Sequence, residues 1–501
     1  MSSAEFLQIL LRFQFGLSAS FHYLFVPLSL GLLLCMTLMN TAYVRTGRYH
    51  LWLAARYWRR FFLLSWATGF ITGYPLRWQL HDEWRFYTQA ASPVLQQIFA
   101  MEGVIAPLML LAIAAVVVCR GARSAKFQMV ANWVLLGLMA LQVVTILSVN
   151  AWMQDPVGVA FGLDGWRLSS LSQVLFSETS LHKIVHTLAA AMLTGAFFVL
   201  AMACGYIARN QHLEIYGASL KLAAWVSLGS VLIIGWSGHA SAVNASQTQP
   251  MKFAAFEAHW KAEDGPAPLI LFGVPDQEQG RNHYEVRVPF MLSLLTNGNF
   301  EPVQGIHDLT AQAKGKVALA LSHPGDPNRA GWLKLHDDTA GRYGVQWSTL
   351  SPNERLAKVG KAAQPSVSLV FLSFRIMVAS GLAMLVLSAL VFINRNGLAE
   401  GRLPRLRNLI RLSWPLPWLA TLSGWAVCEI GRQPWTVYER LPTFRSSNIP
   451  LLQDGVLTFM SMMVAGLFIT VVFFMAFRAI HLAGPEREHW PRPWRLGLSR
   501  H

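Results

Sequence analysis

Apolar stretches of about 20 residues or more recur along the chain, at roughly 13–43, 58–77, 94–119, 128–150, 183–207, 219–240, 366–393, 408–430 and 453–483. Each is long enough to cross ~30 Å of hydrocarbon as an α-helix rising about 1.5 Å per residue. The pattern predicts an all-α integral membrane protein of about nine transmembrane helices. One hydrophilic insertion, residues 241–365, separates the sixth span from the seventh. It carries turn signals at His323-Pro324-Gly325-Asp326-Pro327 and Leu350-Ser351-Pro352-Asn353. A loop of this length is functional or disordered as a rule. Its apolar patches, such as Pro268 to Pro275, favour a partly folded cap over a tether. The expected organisation is therefore residues 1–240 as spans one to six, 241–365 as the cap, and 366–501 as spans seven to nine with a C-terminal tail. The N-terminal MSSAEFLQILLRFQFG lacks a basic leader and a clear cleavage site, and reads as a short interfacial helix.

Composition agrees with a membrane protein: 53% of residues are hydrophobic, 13% are charged, and 19 Trp and 29 Phe supply interfacial aromatics. The net charge of +15 invites a nucleic-acid reading, but its placement excludes one. Arg45, Arg48, Arg56, Arg59 and Arg60 follow the first span; Arg120, Arg123 and Lys126 follow the third; Arg209 follows the fifth. Arg395, Arg402, Arg405 and Arg407 follow the seventh, and Arg478, Arg487, Arg492, Arg495 and Arg500 lie at or beyond the end of the ninth. The stretch 151–182 on the opposite side holds only Arg167. This asymmetry puts the N-terminus outside, the cap on the outer face and the C-terminus in the cytoplasm. Cys35, Cys119, Cys204 and Cys428 all fall in apolar spans with no CxxC or CxxCH, which gives no support to a zinc site, a thioredoxin motif or covalent c-type haem.

Against this background, His22, Glu102, His186, Arg375, Met377 and Glu429 stand out. An ionisable group in hydrocarbon costs roughly 2.5–3.5 kcal/mol on insertion scales and calls for a partner or a function. Taken singly, each has an ordinary explanation. A histidine near a helix end can be a satisfied interfacial side chain, Met377 core filler, Glu429 an ion pair with Arg432, and Arg375 a snorkelling cation. Together, the topology sets them all in the outer half of the membrane. Histidine, methionine and glutamate are also side chains that can ligate haem iron. A His and a Met on different helices can hold one iron from both sides. His22 and Glu429 could each hold a separate iron with a position left open for a gas, while Arg375, Arg432 and Arg12 are suited to haem propionates.

The surrounding strings resemble subunit I of the cytochrome bd quinol oxidases. They are Phe21-His22-Tyr23-Leu24-Phe25-Val26-Pro27-Leu28, Asn150-Ala151-Trp152-Met153-Gln154-Asp155-Pro156, Val185-His186-Thr187, Gln249-Pro250-Met251-Lys252-Phe253-Ala254-Ala255-Phe256-Glu257, Gly273-Val274-Pro275-Asp276-Gln277-Glu278, Phe374-Arg375-Ile376-Met377-Val378-Ala379 and Gly431-Arg432-Gln433-Pro434-Trp435. The resemblance implies three haems. His22 matches the axial ligand of haem d, or of a haem b in its place, with Glu102 near the other side. Glu429 matches the ligand of the high-spin haem b, with Trp425 one turn earlier between the haems. His186 and Met377 match the ligand pair of the low-spin haem b, with Arg375 beside it. Lys252 and Glu257 match residues associated with quinol oxidation. The implied function is quinol oxidation at the outer face coupled to reduction of O2 to water, in the bacterial cytoplasmic membrane. Implied partners are a second membrane subunit (subunit II) and a small accessory subunit. The rival readings are a haem protein for electron transfer or gas sensing, and a transporter, for which no inverted repeat is evident. The chain departs from the family pattern at Leu110 and at Arg77, each where a glutamate is expected. Spans three and four therefore offer no carboxylate relay in their inner halves.

Overall fold

The computed structural model describes residues 3–118, 124–162 and 164–485. Cys119, Arg120 and Arg123, and the tail with Arg487, Arg492, Arg495 and Arg500, lie outside the described residues.

The first apolar stretch forms two helices, α1 (Ser3–Tyr23) and α2 (Val26–Thr46), rather than one span. Pro27 is the cause. It has no N–H for the Tyr23 carbonyl, and the chain bridges the break with Leu24 and Phe25 amides bonded to the Phe21 and His22 carbonyls. The N-terminal segment expected at the interface supplies the first turns of α1. There follow α3 (Tyr49–Asp82), α4 (Arg85–Ala90), α5 (Ser92–Val118), α6 (Ala125–Gln154), the hairpin β1 (Val159–Gly162) and β2 (Gly165–Leu168), α7 (Leu171–Phe176), α8 (Glu178–Ala208) and α9 (Leu213–Thr248). The sixth span thus runs past residue 240, the expected boundary.

The insertion folds into α10 (Pro250–Glu257), an antiparallel hairpin of β3 (Leu269–Asp276) and β4 (Arg281–Val288), α11 (Met291–Asn297), α12 (Ile306–Ser322), α13 (Ala330–Tyr343), α14 (Val345–Thr349) and α15 (Pro352–Ala362). The bundle resumes with α16 (Val367–Ala399), α17 (Pro404–Leu412), α18 (Leu416–Gly431), the short pair β5 (Trp435–Val437) and β6 (Leu441–Pro442), and α19 (Leu452–Ala483). The eighth predicted span is broken. Pro415 and Pro417 end the amphipathic α17 and start α18, which at 16 residues is about 24 Å long.

Among the described residues, seven segments are long and apolar enough to cross a membrane: Phe6–Thr46, Ser92–Val118, Ala125–Gln154, Glu178–Ala208, Leu213–Thr248, Pro352–Ala399 and Gln453–Ala483. The second and eighth predicted spans fall in α3, whose apolar run is diluted by arginines, and in the shorter α18. The cap sits at one end of the bundle. The turns after α2, α8 and α16, with Arg45, Arg48, Arg209, Arg395 and Arg402, sit at the other. At its centre, Gly31 of α2 meets Gly195 of α8 so closely that a Cβ on Gly31 would lie 2.3 Å from the Ala191 carbonyl oxygen. Only glycine permits that backbone approach. Outward, α19 exposes Leu467, Phe468 and Met475, and α5 exposes Val104, Leu111 and Val118. Lipid or another membrane chain is the natural cover for such faces.

Candidate haem site

His22 and His186 are held in the same way. His22, near the end of α1, sets Nδ1 3.1 Å from the Thr72 hydroxyl of α3. That hydroxyl donates to the Thr68 carbonyl at 2.9 Å, so it accepts from His22 Nδ1–H. His186 on α8 sets Nδ1 3.2 Å from Ser237 of α9, whose hydroxyl donates to the Ile233 carbonyl at 2.7 Å. Each hydroxyl is already spent as a donor, which assigns the proton to Nδ1 and leaves the Nε2 lone pair for a metal. Each ring also packs on the glycine after its hydroxyl. A Cβ on Gly73 would lie 3.2 Å from His22 Cε1, and one on Gly238 3.2 Å from His186 Cε1. Met377 of α16 repeats the device, with Sδ 2.9 Å from the position of a Cβ on Gly424 of α18.

Glu429, in the last turn of α18, accepts from Asn150 Nδ2 through Oε1 at 2.9 Å and from Arg432 Nη2 through Oε2 at 2.5 Å. A carboxylate has further lone pairs on both oxygens. Its cationic neighbours are Arg432, Lys183 and Lys252. Lys183 bonds the Asn150 side-chain oxygen and lies 2.9 Å from Cys428 Sγ. These three cations face a single carboxylate, an excess of positive charge that burial penalises unless anions complete it. Arg432 is buried, and its Nε and Nη1 have no hydrogen-bond partner among the described residues. Trp425, one turn before Glu429, is half-buried on the same face of α18.

The cap closes the site from its own end. Lys252 on α10 is buried against Gly431 and donates to Gln154 Oε1 at 2.7 Å and Gln249 Oε1 at 3.3 Å. Burial pushes its ammonium down to about 8; Cys428 and Glu429 oppose the shift, and Lys183 and Arg432 add to it. Glu257, at the end of α10, pairs with Arg375 of α16 at 2.7 Å, and Arg375 also donates to the Ile270 carbonyl of β3. Burial raises the Glu257 carboxyl above the usual carboxylate range, with Arg375 opposing. A cleft opens beside Lys252, with Gln433, Trp332, Trp435, Tyr438 and Glu439 among its walls.

The predicted residues are not all joined. Arg375 is engaged by Glu257, and Arg12 Nη2 by Gln433 Oε1 at 2.9 Å. Glu102 has Arg77 as its charged neighbour, and no hydrogen bond ties it to the other predicted residues among those described. Sequence reasoning gave no role to Thr72, Ser237, Asn150, Gln154 or Lys183. Asn150 and Gln154 stood in one of the family-like strings at i, i+4 spacing, and Lys183 showed itself as a polar residue at the start of an apolar run.

Comparison with known proteins matches residues 10–485 to the family described as Cytochrome bd terminal oxidase subunit I. The chain belongs to that family. It is 32% identical to the Cytochrome bd-II ubiquinol oxidase subunit 1 of Escherichia coli, over 91% of this chain and 92% of that one. It is 29% identical to the Cytochrome bd ubiquinol oxidase subunit 1 of Bacillus subtilis, over 90% and 88% respectively. The bd oxidase structure from Geobacillus thermodenitrificans superposes with a TM-score of 0.76, covering 94% of this chain and 98% of that one at 20% identity, a likeness of fold. Membership makes this chain a membrane-embedded oxidoreductase subunit of the respiratory chain and implies haem. The residues fit haem on three counts: histidines with Nε2 available, glycine seats beside His22, His186 and Met377, and the buried Arg432 guanidinium, whose Nε and Nη1 lack partners among the described residues and suit a propionate.

Proposed function

We propose that the chain is the haem-bearing catalytic subunit of a quinol:oxygen oxidoreductase that oxidises quinol at the outer membrane face and reduces O2 to water. The observation that carries this is the pair of histidines locked in the Nδ1–H form by spent hydroxyls. His186 and Met377 would hold a low-spin haem b, Glu429 a high-spin haem b, and His22 the oxygen-site haem, d or b. Bound haem supplies electron transfer between quinol and oxygen.

The remaining chemistry belongs to the chain. Thr72 and Ser237 fix the imidazole orientation. Arg432, Lys183 and Lys252 offset propionate charge, and Arg375 ties the cap to α16. The cleft beside Lys252 has aromatic walls for a quinol ring, and Lys252 would donate to a quinol oxygen. Glu257, with raised proton affinity, would take up one of the two protons that quinol releases with its two electrons. The names of the Escherichia coli and Bacillus subtilis relatives support quinol as the reductant. The unburied apolar faces of α5 and α19 support a second membrane subunit and a small accessory subunit as partners, in a bacterial cytoplasmic membrane with the N-terminus outside.

The test is haem extraction, a reduced-minus-oxidised spectrum and quinol-driven O2 uptake on the purified complex. Three haems are expected, with the low-spin signal lost in His186→Ala and Met377→Ala. A haem-loaded complex that consumes no O2 with quinol would refute the oxidase reading.

A further inference from the structure

On the oxidase reading, protons for water must reach the cap end of the bundle from the opposite face, and Leu110 stands where the family's carboxylate is expected. We propose that His481, Tyr206 and Tyr57 form the entrance of a proton wire at the end of the bundle remote from the cap. This inference rests on the oxidase reading.

Helices α3, α8, α9 and α19 converge there on Tyr57, Tyr206, Tyr216 and His481. Tyr206 Oη lies 2.5 Å from His481 Nδ1 and is hydrogen-bonded in turn to Tyr57 Oη. Tyr57 is 1% exposed and Tyr206 4%, so the bonds lie inside protein. Tyr216 stacks on Tyr206 with ring centroids 4.2 Å apart, and its hydroxyl faces those of Tyr57 and Tyr206, which makes it a third member of the cluster.

The cluster has a direction. Arg209 Nη1 approaches His481 Nε2 at 3.5 Å. A guanidinium only donates, so Nε2 accepts and the His481 proton is assigned to Nδ1. Nδ1–H then donates to Tyr206, which leaves the Tyr206 proton available to Tyr57, and Tyr57 in turn has Tyr216 beside it. Successive α3 residues are separated by 100° around the helix, which keeps Tyr57, Ser65 and Thr68 within one arc of about 80°. Ser65 accepts from Ser29 at 3.1 Å and donates to the Phe25 carbonyl at 2.9 Å, a hydroxyl pair about 10 Å along α3 from Thr72, the partner of His22. From Tyr57 to Ser65 the helix rises about 12 Å past buried Phe61, so the tyrosines and His481 make up the entrance of the wire and not its whole length.

The mouth is basic. A small surface recess touches Tyr57 and is lined by Leu53, Arg56, Arg60 and Pro485. With Arg209 beside His481, the charged groups facing the cluster are the guanidinium groups of Arg56, Arg60 and Arg209. A resident imidazolium is therefore disfavoured, and transfer runs as a concerted shift. A proton binds His481 Nε2 as Nδ1 releases one to Tyr206, Tyr206 releases its own to Tyr57, and Tyr57 releases one inward. Nothing is oxidised or reduced, and ring and hydroxyl rotation resets the wire.

The experiment uses the purified oxidase complex and the variants His481→Ala, Tyr206→Phe and Tyr57→Phe. Quinol-driven O2 uptake is measured at alkaline pH in H2O and D2O, with haem spectra recorded alongside. The expected result is a loss on the order of ten-fold with an enlarged isotope effect and unchanged haem spectra. Added imidazole should restore His481→Ala and leave Tyr206→Phe slow. Independently of turnover, 15N-histidine NMR of the oxidised complex should show His481 in the Nδ1–H form, perturbed in Tyr206→Phe. Uptake and isotope effect at wild-type level in both His481→Ala and Tyr206→Phe would overturn the wire. So would losses that accompany loss of the haem spectrum, or that imidazole fails to restore in His481→Ala, since both mark a clamp between helices. Wild-type uptake decides the oxidase reading, and the ratio of variant to wild type decides the wire.

Discussion

The seat of Met377 permits a sharp perturbation, Gly424→Ala. The added methyl would lie 2.9 Å from Sδ and 3.7 Å from Cγ. Apolar contacts settle at about 3.5–4.0 Å, so the sulfur must retreat by roughly 0.6–1 Å. Methionine has three rotatable bonds, and overpacking of this kind costs about 1–3 kcal/mol, little enough for the fold to survive. An iron–ligand distance tolerates only about 0.2 Å. The variant is therefore expected to fold and keep its haem content while losing the low-spin absorbance band, with the midpoint potential falling as the thioether leaves. Gly381→Ala is the control. It shares the helix face of Met377 at i, i+4 spacing, and a Cβ there meets no protein atom within 4 Å, so it tests a methyl near the ligand that does not press on the sulfur. It should keep the low-spin band, since the sulfur is not displaced, and stabilise α16 by about 0.5–1 kcal/mol. The assay is a reduced-minus-oxidised spectrum with redox titration and a thermal melt. A Gly424→Ala complex with an unshifted potential and a full low-spin band would refute the ligand role of Met377.

Ser237→Ala removes the acceptor that fixes the His186 tautomer, and haem occupancy should fall as binding weakens by about 10- to 100-fold; undiminished haem content would sink the tautomer argument. Arg375→Met strands the buried Glu257 carboxylate and should destabilise the protein by about 3–5 kcal/mol, with much of the loss recovered in the double variant with Glu257→Met, as read by a double-mutant cycle of melts. Glu83, buried beyond the end of α3, has its carboxyl raised from 4.5 to about 7, by burial first and against hydrogen bonds from Gln14 and Gln79. Its contribution to stability is full below pH 4.5 and is lost as pH rises through about 7, a loss on the order of 3 kcal/mol. Glu83→Gln should therefore melt higher than wild type at pH 8 and no higher at pH 4; a constant difference between the two would contradict this.

The sequence displayed its spans because apolar length is a one-dimensional property, and it displayed His22, His186 and Glu429 because charge and imidazole are rare in hydrocarbon. It concealed what holds them. Thr72 and Ser237 look like ordinary helix hydroxyls bonding back to the i−4 carbonyl, and only the pairing of α1 with α3 and of α8 with α9 turns them into acceptors for imidazole. The same limit hid the buried cation cluster, since Lys183, Lys252 and Arg432 are far apart in the chain. The breaks at Pro27 and Pro415 were open to view, yet hydropathy runs straight through both. Leu110 makes the point most sharply. Counted along α5, it stands where a carboxylate would feed protons inward. In the structure it is 47% exposed, on the outward face with Leu111 at 67%. A glutamate at residue 110 would meet lipid or a neighbouring subunit, so its replacement alters that boundary and not the interior of this chain. Proton entry through the chain then has to use polar groups that do face inward, and the hydroxyls on one side of α3 do.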